Sequence, residues 1–262
     1  MNPLLHRYDF GGSSSAVASA FSTTRHGGVS QGLFGTFNIN PFCGDSAEAV
    51  SANRLALAGE LGISDEAIIL PRQAHGDRCL VVDEALMHLD PGQRTARLDG
   101  VDCVMSCLSG VCIGVSTADC IPVLLYDDEH HAAAAVHAGW RGTVQRIVEK
   151  AVRQMQAVYD TNPGLLRAVI GPGISLKNFE VGKEVYDAFQ KQHFDMAAIA
   201  KHYEKWHIDL PLCNRLQLMG AGVPSTHIQD AAICTYDHAG DFFSARRLGA
   251  ASGRIYTGIL LT

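Results

Sequence analysis

The stretch Val111–Thr143, VCIGVSTADCIPVLLYDDEHHAAAAVHAGWRGT, decides the fold of this chain. It contains three apolar runs, Val111–Ser116, Ile121–Tyr126 and Ala132–Val136, and each has the length of one strand. Runs without polar alternation are typical of strands that are covered on both faces. We therefore expect these three strands to lie in the buried centre of the protein.

Other segments complete the predicted elements. Further strands are predicted at Val17–Ser22, Ala67–Leu70, Cys79–Val82, Val101–Ser106, Arg167–Ile170 and Ile255–Leu261. Helices are predicted from Asp45, with Glu48 completing a capping box, to Gly59 or Gly62, from Val144 to Val158, over Val181–Gln192, and from the N-cap residue Asp209 to Gly220 or Gly222. Strands come in runs between helices, and no linker divides the chain. We predict one α+β (mixed α/β) domain over residues 1–262, a sandwich of mixed β-sheets with flanking helices.

Composition excludes several classes of protein. The 262 residues carry 27 acidic and 21 basic side chains, a net charge of −6, which argues against nucleic acid as a partner. No run of 18 apolar residues exists, so no membrane partner is expected. The N-terminal sequence lacks a basic start followed by an apolar run, and we expect a cytoplasmic protein. The oligomeric state stays open.

The eight cysteines have no pair at C-x-x-C spacing, which excludes zinc ribbons and thioredoxin-like redox pairs. In a long chain without an export signal we expect reduced thiols.

Three polar segments, QAHG, TADC and HAGWRGT, lie at or just after the ends of apolar runs and contain His75, Cys120 and His137. Such strand ends are where proteins of this class build sites. Two imidazoles and one thiolate suit zinc and leave a fourth coordination position for water or substrate. The alternative is a buried thiol beside two hydrogen-bonded histidines. The neighbouring Gly, Asp, Arg and Trp residues favour a site.

Four side chains are candidates for binding substrate or phosphate. Arg141 lies in a glycine-rich turn that leads into a predicted helix, an arrangement that favours an anion. Arg25 lies in a polar, glycine-rich loop. Phe243 and Arg247 belong to the segment FFSARR, where rings and guanidiniums would stack on a heterocycle and hold its phosphate or sugar. Each arginine is equally explained as a surface residue.

These motifs resemble those of the bacterial laccase-domain family, once called multicopper polyphenol oxidase-like and later described as multifunctional purine nucleoside phosphorylases. The resemblance extends over Phe21–Leu261 and is most specific in TADC and HAGWRGT. Weaker matches are TTRHGGVS at 23–30, GD at 44–45, NR at 53–54, QAHG at 73–76, D-x-x-x-S at 102–106, IGP at 170–172, EVGKEV at 180–185 and FFSARR at 242–247.

The resemblance implies zinc held by His75, Cys120 and His137, the residues that the ligand chemistry also selects. It implies purine nucleosides and phosphate as partners. The expected reactions are phosphorolysis of adenosine, inosine, guanosine and methylthioadenosine, and hydrolytic deamination of adenosine.

The resemblance and the ligand chemistry together predict Arg25, Asp119, Cys120 and His137 as catalytic residues. Arg25 matches an arginine that the family needs for activity. A general acid for the departing purine is required, and Asp119 and His26 are the two candidates. Asp119 precedes a metal ligand directly, so it is alternatively a support for the metal site.

Three residues depart from the family pattern. Gly173 stands where the family commonly has Cys, Phe42 where it often has His, and Leu248 where the arginine pair is usually followed by Asp. The three predicted ligands are unaffected, but substrate preference is left open.

Other interpretations remain. A polyphenol oxidase needs many histidines in H-x-H pairs, which this chain lacks, although copper binding to the His/Cys/His set in vitro is expected because copper outcompetes zinc. Cys120 activated by His137 would instead be the nucleophile of a cysteine hydrolase or amidase that edits cell-wall precursors. A non-enzymatic domain with a structural zinc would need a fourth ligand, and the sequence offers none nearby.

Overall fold

The computed structural model describes residues 4–10 and 18–262. Its strands are β1 (Leu5–Tyr8), β2 (Ala18–Thr23), β3 (Ile68–Ile69), β4 (Cys79–Val81), β5 (Cys103–Ser106), β6 (Cys112–Thr117), β7 (Ile121–Asp127), β8 (Ala132–Ala138), β9 (Arg167–Ile170), β10 (Glu180–Val181), β11 (Ala200–His202), β12 (Trp206–Ile208), β13 (Ile228–Asp230) and β14 (Ile255–Leu261). Its α-helices are α1 (Ala47–Leu61), α2 (Glu84–Met87), α3 (Pro91–Leu98), α4 (Trp140–Val144), α5 (Ile147–Tyr159), α6 (Lys183–Lys191), α7 (Met196–Ile199), α8 (Leu210–Gly220) and α9 (Ala245–Leu248).

The strands form two large sheets and one small one. A five-stranded sheet has the order β1-β2-β14-β6-β3, and a six-stranded sheet has the order β13-β9-β7-β8-β5-β4. Both are mixed, because β3 pairs with β6, β4 with β5, and β13 with β9 in parallel, whereas the remaining pairs are antiparallel. Strands β10, β12 and β11 form the small sheet. The predicted α+β sandwich of mixed sheets is confirmed.

Three apolar clusters divide the protein into layers. One lies between the two large sheets and includes Ile113 of β6 and Leu124 of β7. The second packs Val123 and the rest of the outer face of the six-stranded sheet against α5 and α8. The third packs Tyr256 of β14 against α1. Successive side chains of a strand point to opposite faces, and both faces are covered here, which explains the unbroken apolar runs.

Most strand predictions are confirmed within one or two residues at each end, and β9 and β14 match their predicted bounds. Val17, the first residue of one predicted strand, lies outside the described residues. The strands β1, β10, β11, β12 and β13 were missed because they are short and partly polar, so their sequences carry little periodicity. Within residues 4–10 and 18–262, no helix has both the length and the apolar character needed to cross a membrane.

The first two helix predictions need corrections. The N-cap of α1 is Ser46, whose side chain accepts from the amide of Ala49, so the predicted capping by Asp45 is wrong. Asp45 instead accepts from the hydroxyl of Ser30. The predicted second helix is divided into α4 and α5, because Arg146 has a left-handed φ of 60° that interrupts the helical backbone.

The third helix prediction started too early and the fourth is confirmed. Val181 belongs to β10 and pairs with Trp206, and α6 starts only after Gly182. Helix α8 begins after Asp209, whose side chain accepts from the amide of Leu212 as predicted.

Candidate metal centre

The candidate centre lies where neighbouring strands of the six-stranded sheet start and end. Cys120 directly precedes β7, and His137 is the penultimate residue of β8. The two strands are antiparallel and pair Ile121 with Ala138, so the start of one meets the end of the other. His75 joins them from the loop between β3 and β4, where its φ of 61° is left-handed. Three segments distant in sequence thus converge as predicted.

One ligand atom from each of His75, Cys120 and His137 can be chosen so that all three lie within 4.8 Å of one another. His137 is buried, Cys120 is half-buried and His75 is exposed. Two imidazole nitrogens and a sulfur are donors that suit a transition metal such as zinc or copper. Among residues 4–10 and 18–262, this is the one group of His, Cys, Asp or Glu side chains that converges in this way.

Asp102, a residue that the sequence analysis did not assign to the site, holds the side chain of one ligand and the backbone of another. It is fully buried, and its carboxylate accepts from Nδ1 of His137 at 2.7 Å. The same carboxylate accepts from the backbone amides of His75 at 2.9 Å and Gly76 at 2.8 Å. The bond to Nδ1 leaves Nε2 of His137 as the free ligand atom. One buried carboxylate therefore orients a ligand side chain and a ligand loop.

The thiol of Cys120 and the imidazole of His137 stabilise each other's charged forms. Burial alone would raise the pKa of Cys120, but the neighbouring His137 and His75 outweigh it and lower that pKa to about 6. Burial alone would lower the pKa of His137, but Cys120 and Asp102 outweigh it and raise that pKa to about 9. Cys120 is thus a thiolate at neutral pH, the form that binds metals and acts as a nucleophile.

Space around the ligands requires glycine at position 139. A Cβ atom at Gly139 would lie 3.0 Å from Sγ of Cys120 and 3.2 Å from Cδ2 of His75. The backbone φ of Gly139, −68°, is accessible to any residue. The preference for glycine therefore comes from the close approach of the ligand side chains. The backbone turn after β8 therefore leaves just enough room for the three side chains to face one another.

A cleft of about 470 Å³ opens beside the three ligands. Its wall includes Phe42, Arg72, Thr117 and Arg254, and no aspartate or glutamate is among the described residues that line it. The metal ligands therefore border an open volume, which leaves room for water or substrate at a further coordination position. Closed structural zinc sites are filled by four protein ligands.

Asp119 lies beside the centre, but its carboxylate accepts hydrogen bonds from other residues of the protein. It accepts from the hydroxyls of Thr235 at 2.7 Å and Ser244 at 2.6 Å, and from the amide of Arg246 at 2.6 Å. Its φ of 86° is left-handed, and these three bonds hold that turn in place directly before Cys120. The geometry fits the predicted supporting role of Asp119 better than the role of general acid.

Arg25 and Phe243 contact each other outside the described lining of the cleft. The guanidinium carbon of Arg25 lies 4.9 Å from the centre of the Phe243 ring. Arg25 also donates from Nε to the carbonyl of Gly35 at 2.9 Å and from Nη1 to that of Ala239 at 2.7 Å. These bonds tie three loops together. The other predicted acid, His26, lies 2.9 Å from a carboxylate oxygen of Asp241.

Arg141 and Arg247 are exposed and stack on aromatic rings. The guanidinium of Arg141 lies 4.4 Å from the Trp140 ring centre, and that of Arg247 lies 5.1 Å from the Tyr236 ring centre. Neither arginine is among the described residues that line the cleft. The structure thus brings the three predicted ligands together but does not gather the predicted anion-binding arginines around them.

The three departures from the family pattern have different surroundings. Phe42 lies on the wall of the cleft and is 44% exposed. A larger residue at Gly173 would displace a neighbour, because a Cβ atom there would lie 2.3 Å from Cδ1 of Ile121. Leu248 packs against an apolar cluster that includes Phe243.

Two further residues of the cleft wall were not assigned from the sequence. Thr117 belongs to the TADC motif, but the motif gives it no separate role. Arg254 is a single basic residue before a strand, and no local sequence pattern marks it. Gln73 of QAHG supports the site by donating to the carbonyl of Ser116 and accepting from its amide, each at 2.8 Å. The sequence signal for Asp102 was its position before a buried strand.

With this fold and metal-ligand geometry, the chain belongs to the family described as "Multi-copper polyphenol oxidoreductase laccase", whose model matches residues 19–262. Two curated relatives cover nearly all of it. A protein of Bacteroides thetaiotaomicron named "Purine nucleoside phosphorylase" is 46% identical over 252 residues, which are 95% of this chain and 93% of the relative. A protein of an unknown prokaryotic organism named "Adenosine deaminase RL5" is 41% identical, over 97% of this chain and 98% of the relative.

Solved structures share the fold. YlmD from Geobacillus stearothermophilus superposes with a TM-score of 0.88 at 30% identity, covering 96% of this chain and 94% of that one. The hypothetical protein YfiH of Bacillus licheniformis superposes with a TM-score of 0.86 at 28% identity, covering 94% and 93%. The expected family is thus confirmed by sequence and by structure.

Proposed function

We propose that this protein is a zinc-dependent purine nucleoside phosphorylase that also deaminates adenosine. The observation that carries the proposal is the convergence of His75, Cys120 and His137 beside an open cleft. The names of the two relatives, a phosphorylase and an adenosine deaminase, supply the reaction classes. The proposed substrates are adenosine, inosine, guanosine and methylthioadenosine, with phosphate as the second substrate.

The residues at the centre fit a zinc ion. Two nitrogens and one thiolate are ordinary zinc donors, Asp102 orients the imidazole of His137, and the small Gly139 leaves the donors room to converge. A bound zinc ion would supply positive charge that polarises water or an oxygen of the substrate in the open position. His75, Cys120 and His137 would hold the ion, and Asp119 would fix the turn that presents Cys120.

Both proposed reactions take place at the purine nucleoside. In phosphorolysis, a phosphate oxygen forms a bond to C1′ of the ribose as the C1′–N9 bond breaks. The electron pair passes to the base, which takes up a proton, and ribose 1-phosphate leaves. In deamination, water adds at C6 of adenosine, ammonia leaves and inosine remains. The positive wall of the cleft suits the phosphate in the first reaction. The substrate roles predicted for Arg25, Phe243, Arg141 and Arg247 stay predictions.

A second candidate function has its own supporting observation. Cys120, His137 and Asp102 form a chain in which a thiolate faces an imidazole that a buried carboxylate orients. This is the arrangement of nucleophile, base and orienting group in cysteine hydrolases. An amidase acting on cell-wall precursors is therefore the alternative. A multi-copper oxidase has less support, because the described residues bring together one ligand set rather than several.

The test is metal analysis of the purified protein combined with a phosphate-dependent assay on inosine and adenosine. We expect about one zinc per chain, base release that needs phosphate, and loss of activity in chelator that zinc restores. Copper must be kept from the growth medium and buffers, because it displaces zinc from nitrogen and sulfur donors.

The Cys120→Ala variant should lose zinc and base release together. Cys107→Ala is the matched control, because Cys107 is an exposed cysteine outside the ligand set. The proposal would be refuted if the purified protein held no metal and released no base. Amide hydrolysis that is lost when the thiol is alkylated would then favour the cysteine hydrolase.

A further inference from the structure

Arg254 stands one residue before β14, beside the end of β6. The two strands are antiparallel, and their register pairs Ile255 with Thr117. Arg254 is therefore placed next to the TADC turn, whose last residue is the ligand Cys120. Arg254 and Thr117 both line the cleft that the three metal ligands border. The fold thus brings a guanidinium and a hydroxyl to the metal centre from adjacent strands.

The guanidinium of Arg254 forms hydrogen bonds to the protein with only some of its N–H donors. Nη1 donates to the carbonyls of Ser252 and Gly253, and Nη2 donates to that of Ala250 at 2.8 Å. A guanidinium has five N–H donors, so Nε and one hydrogen of Nη2 remain available. No carboxylate of residues 4–10 or 18–262 forms a salt bridge with it. Arg254 is thus anchored by neutral carbonyl acceptors and, among the described residues, has no carboxylate partner in a salt bridge.

Thr117 gives an independent indication of a ligand at the same place. Its side chain is buried, with 1% exposure, and Oγ1 has no hydrogen-bond partner among the described residues. A buried hydroxyl without a partner costs free energy, and most such groups in folded proteins are satisfied. Since Thr117 lines the cleft, a ligand bound there is the candidate partner for this hydroxyl.

The charge of the cleft wall favours an anion. Arg72 and Arg254 are its two arginines, and no acidic side chain is among the described residues that line it. Arg72 lies at the rim, with its side chain 63% exposed and 3.7 Å from a carboxylate oxygen of Asp99. A guanidinium offers N–H pairs that match the oxygens of phosphate.

We propose that Arg254 and Thr117 bind inorganic phosphate in this cleft, with Arg72 adding positive charge at the rim. The inference rests on the proposed function, because phosphate is the second substrate of phosphorolysis. It assigns the phosphate to residues other than Arg25, Arg141 and Arg247. A phosphate held here lies in the cleft that the three metal ligands also line. Arg254 is then a binding residue for the attacking group.

Calorimetric titration of inorganic phosphate into the metal-loaded protein tests the assignment. Arg254→Ala should weaken phosphate binding by about tenfold or more, since it removes charge-assisted hydrogen bonds. Arg254→Lys should restore part of the affinity, because it keeps the charge but loses the paired donors. Arg153→Ala is the matched control, because Arg153 is an exposed arginine of α5 outside the cleft, and its phosphate affinity should equal that of the unchanged protein.

The Thr117→Val variant separates a loss of phosphate binding from a loss of folding. Replacing a partnerless hydroxyl by a methyl group should leave the thermal midpoint of the free protein unchanged or higher. Phosphate affinity should nevertheless fall by about threefold or more, as expected for a lost hydrogen bond. Metal content is measured for every variant, because Arg254 and Ala250, whose carbonyl it holds, line the same cleft as the metal ligands. Unchanged phosphate affinity in both Arg254→Ala and Thr117→Val would overturn the assignment, as would a protein that shows no saturable phosphate binding.

Turnover of inosine separates this inference from the proposed function. An elevated phosphate KM with a similar kcat in Arg254→Lys supports both. Phosphate-dependent cleavage whose phosphate KM is unchanged in Arg254→Ala refutes the assignment and leaves the phosphorylase intact. Phosphate binding that depends on Arg254, in a protein that cleaves no nucleoside, supports the anion site and refutes the phosphorylase.

Discussion

His137 and Asp102 are joined twice: the Nδ1 atom of His137 donates to the Asp102 carboxylate at 2.7 Å, and its backbone amide donates to the Asp102 carbonyl, also at 2.7 Å. Since the same carboxylate accepts from the amides of His75 and Gly76, it holds two of the three proposed metal ligands in one geometry. The metal centre therefore depends on a residue that would not itself touch the metal.

Asp102→Asn should weaken metal binding by about 10- to 100-fold, the usual effect of losing a partner that orients a ligand. The amide keeps the size of the carboxylate but removes its charge, and its NH₂ group cannot accept from the backbone. Competition with a chromophoric chelator measures the metal affinity. Asp127→Asn is the control, because Asp127 forms a similar pair with His130 at 2.9 Å outside the metal centre. Equal affinity in Asp102→Asn and the unchanged protein would contradict the role of Asp102.

Alkylation of Cys120 in metal-free protein should show a midpoint near pH 6, because the thiolate reacts and its pKa is lowered to about 6. Iodoacetamide labelling, followed on the Cys120 peptide by mass spectrometry, gives the rate at each pH. Cys112 is the internal control, since burial raises the pKa of its thiol to about 12. His137→Gln should move the midpoint upward, because it removes the imidazolium charge. A midpoint that stays the same would show that His137 does not control the thiolate.

The charged pair of Cys120 and His137 should make a contribution to the stability of metal-free protein that is nearly independent of pH between about 6.5 and 9. A thiol whose pKa is lower in the folded chain stabilises the fold at high pH, and this contribution is lost as the pH falls through about 6. The raised pKa of His137 contributes fully below its ordinary value of 6.5 and is lost as the pH rises through about 9. The two contributions change in opposite directions over the same pH range, so they largely cancel. Urea unfolding at several pH values should therefore show that the difference in unfolding free energy between the unchanged protein and Cys120→Ala varies little across this range. A difference that rises or falls steeply with pH would contradict the paired shifts.

Gly139→Ala should lower metal affinity with little change in the free energy of unfolding. The added methyl group would lie 3.0 Å from Sγ of Cys120, so the ligands must move apart, while the backbone angles suit alanine. Metal competition and urea unfolding measure the two effects. Gly59→Ala in α1 is the control, because no atom lies within 4 Å of its added methyl group. It should keep the metal affinity and raise stability by up to ~1 kcal/mol.

Gly173→Cys, which restores the residue common in the family, should destabilise this chain by about 1–3 kcal/mol through overpacking. The added Cβ atom would lie 2.3 Å from Cδ1 of Ile121. Adding Ile121→Val removes that atom, so the double variant should recover part of the loss. A double-mutant cycle from urea unfolding measures the coupling. Strictly additive effects would show that Ile121 is not what excludes a larger residue.

The sequence predicted the elements whose side chains carry an unbroken or periodic apolar pattern. Strands β7, β8 and β14 follow directly from such patterns, and helix α8 follows from its N-cap residue Asp209. The break at Arg146 could not be predicted, because a single left-handed residue leaves the apolar spacing of the flanking helices unchanged. The strand β10 was mistaken for the start of a helix, since its pairing with β12 joins segments far apart in the chain.

The chemistry of the candidate centre follows from residue types alone, because ligand type is a property of single side chains. Residue type and motif are enough to select His75, Cys120 and His137. Which side chains surround them depends on how distant segments pack in the folded chain. Asp102 and Thr117 belong to motifs in the sequence, but their places at the centre, like that of Arg254, depend on strand pairing and burial. Arg141 of α4 and Arg247 of α9 stack on the rings of Trp140 and Tyr236 instead.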